Sequence, residues 1–228
     1  MENEIRELAG KITPTRYARM LHALAHRTRR MTVVLEDVFQ PHNAAALLRS
    51  CDAFGIQEAH LIENKYKTRL SKNVDMGTSK WMDVFHHTSP EARLCRVGEP
   101  KDQKVSETAN ANTRKVLRSL KEKGYSLVAS TLRDGAMGID DIPVDRPIAL
   151  LVGTEFMGLS DAAHEMSDFQ FSMPMLGFAQ SFNLSVFGAL CIANLSARMR
   201  ALGDDWKMTE PEKQALLLSW LKRKDYSQ

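Results

Sequence analysis

The chain has 228 residues, of which 43% are hydrophobic and 26% are charged. This composition excludes a disordered or fibrous protein, because it supplies enough apolar side chains for a buried core. The 31 Lys and Arg residues outnumber the 28 Asp and Glu residues by only three, and so small a net charge does not by itself indicate a nucleic-acid partner. The length favours one main core with an added segment.

The basic residues are unevenly distributed. Between Lys11 and Arg30 the chain carries six Lys or Arg side chains, two histidines and no carboxylate. Such a run is typical of a solvated helix face and also of a surface for an anionic partner. Both interpretations stay open at this point.

Cysteine usage indicates a reducing compartment. Cys51, Cys95 and Cys191 are widely spaced and form no CxxC pattern, so neither a disulfide framework nor a cysteine-rich zinc site is expected. His86 and His87 have no acidic or Cys partner at ligand spacing, and we expect no metal. The N-terminus lacks the apolar stretch of a signal peptide, and no segment reaches the roughly 18 apolar residues of a membrane helix. We expect a soluble, cytoplasmic protein.

The predicted elements begin with an amphipathic helix at 14–27, which Thr13 caps and Pro14 starts. Predicted strands follow at 31–38, 58–63, 81–87, 125–131, 147–153 and 169–175, and predicted helices lie at 41–55, 113–124, 159–166, 181–202 and 209–224. Strands that alternate with helices predict an α/β fold with a parallel sheet. The basic end of the helix at 181–202, with Arg198 and Arg200, is expected to face solvent.

Residues 97–112 are polar and nearly free of large apolar side chains, which predicts a surface insertion or loop. No internal repeat or composition shift marks a domain boundary. We therefore expect a basic helical extension at 1–30, an α/β core at 31–202 and a helical extension at 203–228.

Three polar segments follow predicted strands, at the edge where open α/β sheets build binding sites. They lie at 43–49 in PHNAAALLRS, at 153–158 in LVGTEFMGLS and at 173–185 in MPMLGFAQSFNLS. Each also has a structural explanation, since Asn43 and Ser181 can cap helices, Arg49 can pair with a surface carboxylate and glycines can form a turn. A turn formed by Gly153 and Gly158 does not explain why Glu155 lies between them. The GxGxxG, GxxxxGK[ST], HExxH and GxSxG signatures are absent, which weakens dinucleotide, P-loop, zinc-protease and hydrolase interpretations.

The order and content of these segments resemble the SPOUT class of RNA methyltransferases, in its SpoU/TrmH branch of 2′-O-ribose methyltransferases. The resemblance covers about residues 14–95 and 113–224. It includes the segments PTRYARML, PHNAAALLRSCDAFGI, GTSKW, GTEFMGLS, MPMLGFAQSFNLSV and SWLKRK. Three motifs that occur in the family's order identify it with high specificity, whereas a single motif would be weak evidence.

The resemblance implies a fold whose C-terminal part, about 147–202, is threaded into a deep trefoil knot, and a homodimer formed through that knot. It implies S-adenosylmethionine as the methyl donor and 2′-O-methylation of a tRNA ribose, at guanosine-18 of the D-loop. The implied catalytic-site residues are Arg49, Asn43, Glu155, Ser181 and Asn183. The implied cofactor-pocket residues are Leu132, Gly153, Met175 and Leu184.

In the family, an arginine at the position of Arg49 is assigned as the general base. A guanidinium stays protonated near neutral pH, so Arg49 could instead grip an RNA phosphate and orient the hydroxyl. The sequence does not separate these roles. The resemblance also makes the basic residues of both helical ends phosphate contacts that position tRNA. They are Arg16, Arg19, Arg27, Arg29, Arg30, Arg198, Arg200, Lys222, Arg223 and Lys224.

Three alternatives remain. The enzyme could methylate another RNA target, such as ribosomal RNA or a different tRNA position. The chain could be a non-catalytic RNA-binding protein of the same fold, or a nucleotide-binding metabolic enzyme with a plain doubly wound sheet and no RNA affinity. The sequence departs from the family pattern in the segment at 97–112 and at Met76 and Thr78. These departures bear on which substrate is chosen and not on the class of activity.

Overall fold

The computed structural model describes residues 1–68, 77–94, 106–154 and 157–223. The strands in these ranges are β1 Thr28–Glu36, β2 Ile56–Glu63, β3 Asp83–Thr88, β4 Ser126–Ser130, β5 Met137–Gly138, β6 Ile148–Val152 and β7 Phe169–Ser172. The helices are α1 Glu2–Ala9, α2 Pro14–Ala25, α3 Pro41–Ala53, α4 Glu107–Glu122, α5 Asp161–Met166, α6 Leu184–Ala201 and α7 Glu210–Leu221.

The strands form one parallel sheet in the order β3-β2-β1-β6-β4-β7-β5. The central strands β1 and β6 pair from Met31 opposite Ile148 to Leu35 opposite Val152. Helices cover both faces, which explains why these strands are continuous apolar runs instead of alternating ones. The predicted α/β class with a parallel sheet is confirmed.

Two apolar layers hold the helices to the sheet. On one face α3 and α6 pack through Leu47, Cys191 and Leu195, all fully buried. A Cβ at Gly188 of α6 would lie 2.5 Å from Cδ1 of Leu47, so the absence of a side chain there allows the two helices to approach closely. On the other face Leu117 of α4 packs with strand residues in a second cluster.

The terminal helices form a third, separate cluster. Ile5 of α1 and Leu24 of α2 pack against Leu217 and Trp220 of α7. The predicted N- and C-terminal extensions therefore cover each other's apolar faces. The domain boundary expected at residue 30 falls inside β1. The sequence analysis predicted the first helix at 14–27 and did not predict α1, which precedes it.

The polar segment predicted as a loop at 97–112 is partly helical. The Ser106 side chain accepts a hydrogen bond from the Ala109 backbone N–H at 3.1 Å and caps α4, so residues 107–112 are its first turns. Ala109 and Thr113 are buried there. The first turns of α4 can consist of small and polar residues because only a narrow face of them packs against the rest of the protein. Residues 97–105 lie outside the described ranges.

Two histidines meet on the α4 side of the sheet edge. Nδ1 of His60 lies 3.0 Å from Nε2 of His87, and the His60 ring also stacks on Phe85 with ring centroids 5.0 Å apart. Burial, and then the charges of His87 and Lys123, lower the pKa of His60 to about 3. His60 is therefore neutral in the folded chain at physiological pH.

This neutral histidine should make the fold acid-labile. The unfolded chain binds a proton at His60 near pH 6.5 and the folded chain does not, so the free energy of unfolding should fall as pH decreases from 6.5 towards 3. The slope from this group is at most about 1.4 kcal/mol per pH unit. Urea unfolding between about pH 7.5 and 5.0 measures it. His60→Gln, which cannot titrate, should flatten the profile, and an equally steep profile in the variant would contradict the assignment.

Candidate functional site

A cavity of about 500 Å³ opens at the carboxyl ends of β4, β6 and β7. Its volume lies in the usual range for small-molecule sites. The second and third polar segments meet in its wall, together with the chain that follows β4. Four residues predicted to hold a cofactor all line it: Leu132, Gly153, Met175 and Leu184.

The loop after β6 is tightly closed. Thr154 and Gly158 exchange two backbone hydrogen bonds of 3.0 Å, and the Thr154 hydroxyl accepts a third from the Met157 N–H at 2.9 Å. A Cβ at Gly153 would lie 2.1 Å from the carbonyl carbon of Gly158. Only glycine fits there, so the main chain itself forms this wall of the cavity. Glu155, predicted at the catalytic site, lies outside the described residues.

Two asparagines connect the first polar segment to the third. Nδ2 of Asn183 donates to Oδ1 of Asn43 at 3.2 Å, and Nδ2 of Asn43 donates to the side chain of Gln40. Oδ1 of Asn183 also accepts the backbone N–H of Ser185 at 2.9 Å, which caps α6. Asn43 is not the cap of α3, because the helix begins two residues earlier, at Pro41.

Arg49 and Ser181 are both exposed, but they occupy different places. Ser181 lies in the wall of the cavity. Arg49 lies on α3, six residues beyond Asn43 and so about 9 Å further along the helix axis, and it is not among the residues that line the cavity. Among the described residues, no carboxylate pairs with its guanidinium. One copy of the chain therefore does not bring Arg49 to the cavity.

The sequence analysis missed a buried carboxylate at the end of β1. Oε1 of Glu36 accepts hydrogen bonds from the hydroxyls of Thr113 at 2.6 Å and Ser160 at 2.8 Å, and Oε2 accepts the Ser160 backbone N–H at 2.8 Å. Glu36 thus links β1 to α4 and to the start of α5. The signal was present as a charged pair closing an apolar run, in the letters VVLED.

The next residue, Asp37, is equally unusual. Its φ of +50° lies in the left-handed region, which few residues other than glycine adopt. Oδ1 accepts the backbone N–H groups of Asn64 and Lys65, both at 2.7 Å. Burial raises the pKa of Asp37 to about 6, an effect that the charge of Glu36 reinforces and these hydrogen bonds oppose.

A second cavity, of about 220 Å³, adjoins the first. Asp37 and Tyr66 line it, and Arg133 and Gly158 line both cavities. In the larger cavity, the Nδ1 atom of His164 is buried without a hydrogen-bond partner in the part of the chain that the structure describes. Burial lowers the pKa of His164, so its ring is neutral near pH 7.

Several arginines predicted to contact RNA phosphates also contact protein groups. Arg27 is only 3% exposed and pairs with Asp52. Arg29 pairs with Glu58 and also with Asp83 at 2.7 Å. Arg30 donates to the backbone carbonyls of Asp145 and Asp205. Arg29 and Arg30 lie in β1 and Arg27 directly precedes it, and the neighbouring chain segments explain why these side chains turn towards the protein.

The basic end of α6 was expected to face solvent, and this expectation is wrong. Arg198 donates to the carbonyls of Ile139 at 2.9 Å and Ile142 at 2.7 Å. Arg200 donates to two carbonyls at the ends of α2 and α3. Its guanidinium lies 3.8 Å from the ring centroid of Trp206. Both side chains are half-buried, and their guanidinium groups donate to carbonyls at the ends of neighbouring elements.

A groove of about 1100 Å³ runs beside α2. Arg16, Arg19, His22 and His26 line it from that helix, and Trp220 lies at its wall. At the other end of the chain Lys222 pairs with Glu4 at 2.7 Å. Arg223 is half-buried and Lys224 lies outside the described residues. Of the predicted phosphate contacts, Arg16 and Arg19 of α2 line this groove together with Arg27 and Arg200.

Comparison with known proteins gives concordant results. The SpoU rRNA Methylase family model matches residues 30–100 and 91–193. The tRNA (guanosine(18)-2′-O)-methyltransferase of Borreliella burgdorferi is 31% identical over 216 residues, which are 95% of this chain and 88% of that protein. The enzyme of the same name from Thermus thermophilus is 30% identical over 92% of this chain and 98% of its own.

Solved structures agree on the fold. The A. aeolicus TrmH/SpoU tRNA modifying enzyme has a TM-score of 0.73 at 23% identity, covering 91% of this chain and 95% of its own. The SpoU methyltransferase AviRb from Streptomyces viridochromogenes, in complex with AdoMet, has a TM-score of 0.56 at 20% identity, covering 81% and 63%. The family model spans most of the parallel sheet and the loops of the 500 Å³ cavity, and the chain therefore belongs to the SpoU rRNA methylase family.

Proposed function

We propose that the protein transfers a methyl group from S-adenosylmethionine to the 2′-hydroxyl of guanosine-18 in tRNA, in the cytoplasm. The observation that carries this proposal is the convergence of Leu132, Gly153, Met175 and Leu184 on one cavity at the carboxyl edge of the sheet. Relatives about 30% identical over nearly the whole chain are named for that reaction. The free, buried thiols of Cys51 and Cys191 suit a reducing compartment.

The cavity fits the proposed cofactor. Leu132, Met175, Leu184 and Phe187 give it apolar walls suited to an adenine ring, and the Gly153 loop offers main-chain polar groups. His164, which is neutral near pH 7, also lines the cavity. When bound, S-adenosylmethionine supplies an activated methyl group on a sulfonium. The chain's own task is to align the ribose hydroxyl and to help remove its proton.

We assign Arg49 to the phosphate beside the reacting ribose, where it orients the hydroxyl. A guanidinium is a poor base near neutral pH but an effective, bidentate phosphate ligand. The Asn43–Asn183 hydrogen bond holds α3 against the third polar segment, and Ser181 lies at the rim where the ribose would enter. We propose that Glu155 organises the same pocket.

A second copy of the chain would bring Arg49 to the cavity, and an apolar surface on α6 and the chain before it supports such a homodimer. We call it the α6 patch: Leu176, Phe178, Phe182, Val186 and Leu190, all exposed. Exposed large apolar residues that cluster on a soluble protein often mark a protein–protein interface. We further propose that about 147–202 is threaded as a trefoil knot and that the dimer forms through it.

The groove beside α2 is the proposed contact for the tRNA backbone. Arg16 and Arg19 are its predicted phosphate ligands, since they line open space and phosphate contacts position RNA without reading its bases. The other predicted arginines remain proposed phosphate contacts, although each also contacts protein groups: Arg27, Arg29, Arg30, Arg198 and Arg200. Lys222, Arg223 and Lys224 remain proposed contacts at the other end of the chain.

The activity is tested by transfer of labelled methyl from S-adenosylmethionine to an unmodified tRNA transcript, followed by mapping of the modified ribose. Arg49→Ala should lower kcat/KM by roughly a hundredfold or more, because the hydroxyl loses its orienting cation. Arg118→Ala, at an exposed arginine on α4, is the matched control and should leave the rate unchanged.

If the labelled methyl group is found at another nucleotide of tRNA, or only in ribosomal RNA, the proposed target guanosine-18 is wrong and the labelled nucleotide is the target. Absence of S-adenosylmethionine binding would refute an enzymatic role and leave an RNA-binding protein of this fold.

The homodimer is tested with a charge placed in the α6 patch. Leu190→Glu should convert the dimer to a monomer in sedimentation velocity, because a carboxylate buried in an apolar interface is strongly unfavourable. It should also abolish methyl transfer, since Arg49 of one copy would no longer reach the cavity of the other. Leu202→Glu, an exposed apolar residue at the end of α6, is the control. A wild-type protein that sediments as a monomer would disprove the proposal.

The groove is tested by tRNA affinity at several salt concentrations. The double variant Arg16→Ala/Arg19→Ala should bind tRNA more weakly and reduce the slope of log affinity against log salt by about one to two. Arg118→Ala should change neither quantity. An unchanged slope in the double variant would show that these arginines do not contact phosphates.

A further inference from the structure

The 220 Å³ cavity has no role in the proposed function so far. It shares Arg133 and Gly158 with the larger cavity, so a group bound in it would lie next to the proposed cofactor. Its volume equals that of roughly seven waters at about 30 Å³ each. That is room for one planar heterocycle and little more.

The cavity wall contains a carboxylate oxygen without a donor. Asp37 is 7% exposed, and its Oδ1 atom is engaged with backbone N–H groups of Asn64 and Lys65. For Oδ2, no hydrogen bond is found within residues 1–68, 77–94, 106–154 and 157–223, although Asp37 lines the cavity. Oδ2 is not one of the fully buried, unpartnered side-chain atoms of the described residues, so it is accessible from the cavity and can accept a hydrogen bond from a ligand that donates.

The same cavity has an aromatic wall. Phe39 and Tyr66 pack edge to face, with ring centroids 5.3 Å apart and ring planes at 86°, and both line the cavity. Aromatic side chains of this kind are the usual platforms on which proteins hold an unstacked RNA base.

We propose that this cavity binds the base of the target nucleotide and that Asp37 selects guanine, an inference that rests on the proposed function. Guanine presents two adjacent donors on its Watson–Crick edge, the N1–H and the N2 amino group. Adenine and cytosine place an acceptor beside their amino group, and uracil places its single N–H between two acceptors. One carboxylate oxygen can accept both of these guanine donors but only one donor from any other base, so Asp37 favours guanine over the other three bases.

The arrangement also explains the backbone at Asp37. Its left-handed φ turns the chain at the end of β1, so that one carboxylate oxygen holds the 64–66 backbone and the other faces the cavity. Strained positions of this kind occur at ligand sites. The ribose of a base bound here would lie along the wall shared with the larger cavity, beside Gly158 and Arg133.

The test compares tRNA carrying guanosine or inosine at the methylated position, since inosine lacks only the N2 amino group. Wild type should prefer guanosine by about tenfold or more in kcat/KM, the effect of one hydrogen bond to a charged acceptor. Asp37→Asn keeps Oδ1 for the backbone and tolerates the left-handed φ. It replaces the second oxygen by a donor, and should lower kcat/KM for guanosine roughly tenfold to a hundredfold while erasing the preference over inosine.

Two controls separate base selection from general damage. Phe39→Leu should lower kcat/KM for both substrates equally, because stacking does not distinguish them. Asp161→Asn makes the same chemical change at an exposed carboxylate of the cavity rim, paired with Arg133, and should keep the guanosine preference.

The outcomes are distinct. An Asp37→Asn enzyme that still prefers guanosine over inosine as wild type does overturns the role of Asp37 and leaves the methyltransferase proposal intact. A wild type that transfers no methyl group to tRNA overturns the proposed function, and this inference with it.

Discussion

β1 and β6 lie side by side at the centre of the sheet, with Met31 opposite Ile148 and Leu35 opposite Val152, and every part of the site depends on this pairing. It places the end of β1, from which the first polar segment follows, beside the closed loop after β6. Because parallel strands expose their carboxyl ends at one edge, residues far apart in sequence become neighbours there. Both cavities open at this edge, which is why one loop, around Gly158, contributes to each.

The elements of the core could be predicted because their signals are local. The continuous apolar run at 147–153 indicates a strand covered on both faces, and Pro14 and Thr209 mark helix starts that the structure confirms. The polar helix at 107–112 was missed because its covered stripe consists of small or hydroxyl side chains, such as Ala109 and Thr113, which carry little apolar signal. The short strand β5 is likewise too brief to show a period.

The site residues, too, could be predicted where their signal is local and could not where their role depends on distant partners. Leu132, Gly153, Met175 and Leu184 could be placed through the ordered motifs, whereas Glu36 and Asp37 could not, since a strand that closes on carboxylates has no unique meaning in sequence. Their importance depends on partners from distant segments, such as Thr113, Asn64 and Ser160. The intramolecular partners of the arginines could not be predicted either. A run of basic residues does not show which side chains pair within the protein, as Arg27 does with Asp52.

The third apolar cluster has a consequence for how the chain assembles during synthesis. The apolar faces of α1 and α2 are covered by Leu216, Leu217 and Trp220 of α7, which a ribosome makes after the whole α/β core. Until then the two N-terminal helices have no permanent partner, and transiently exposed apolar surface favours aggregation. The charged and polar residues of these two helices, among them Arg16 and Arg19 at the groove, would help to keep the nascent segment in solution until α7 is made.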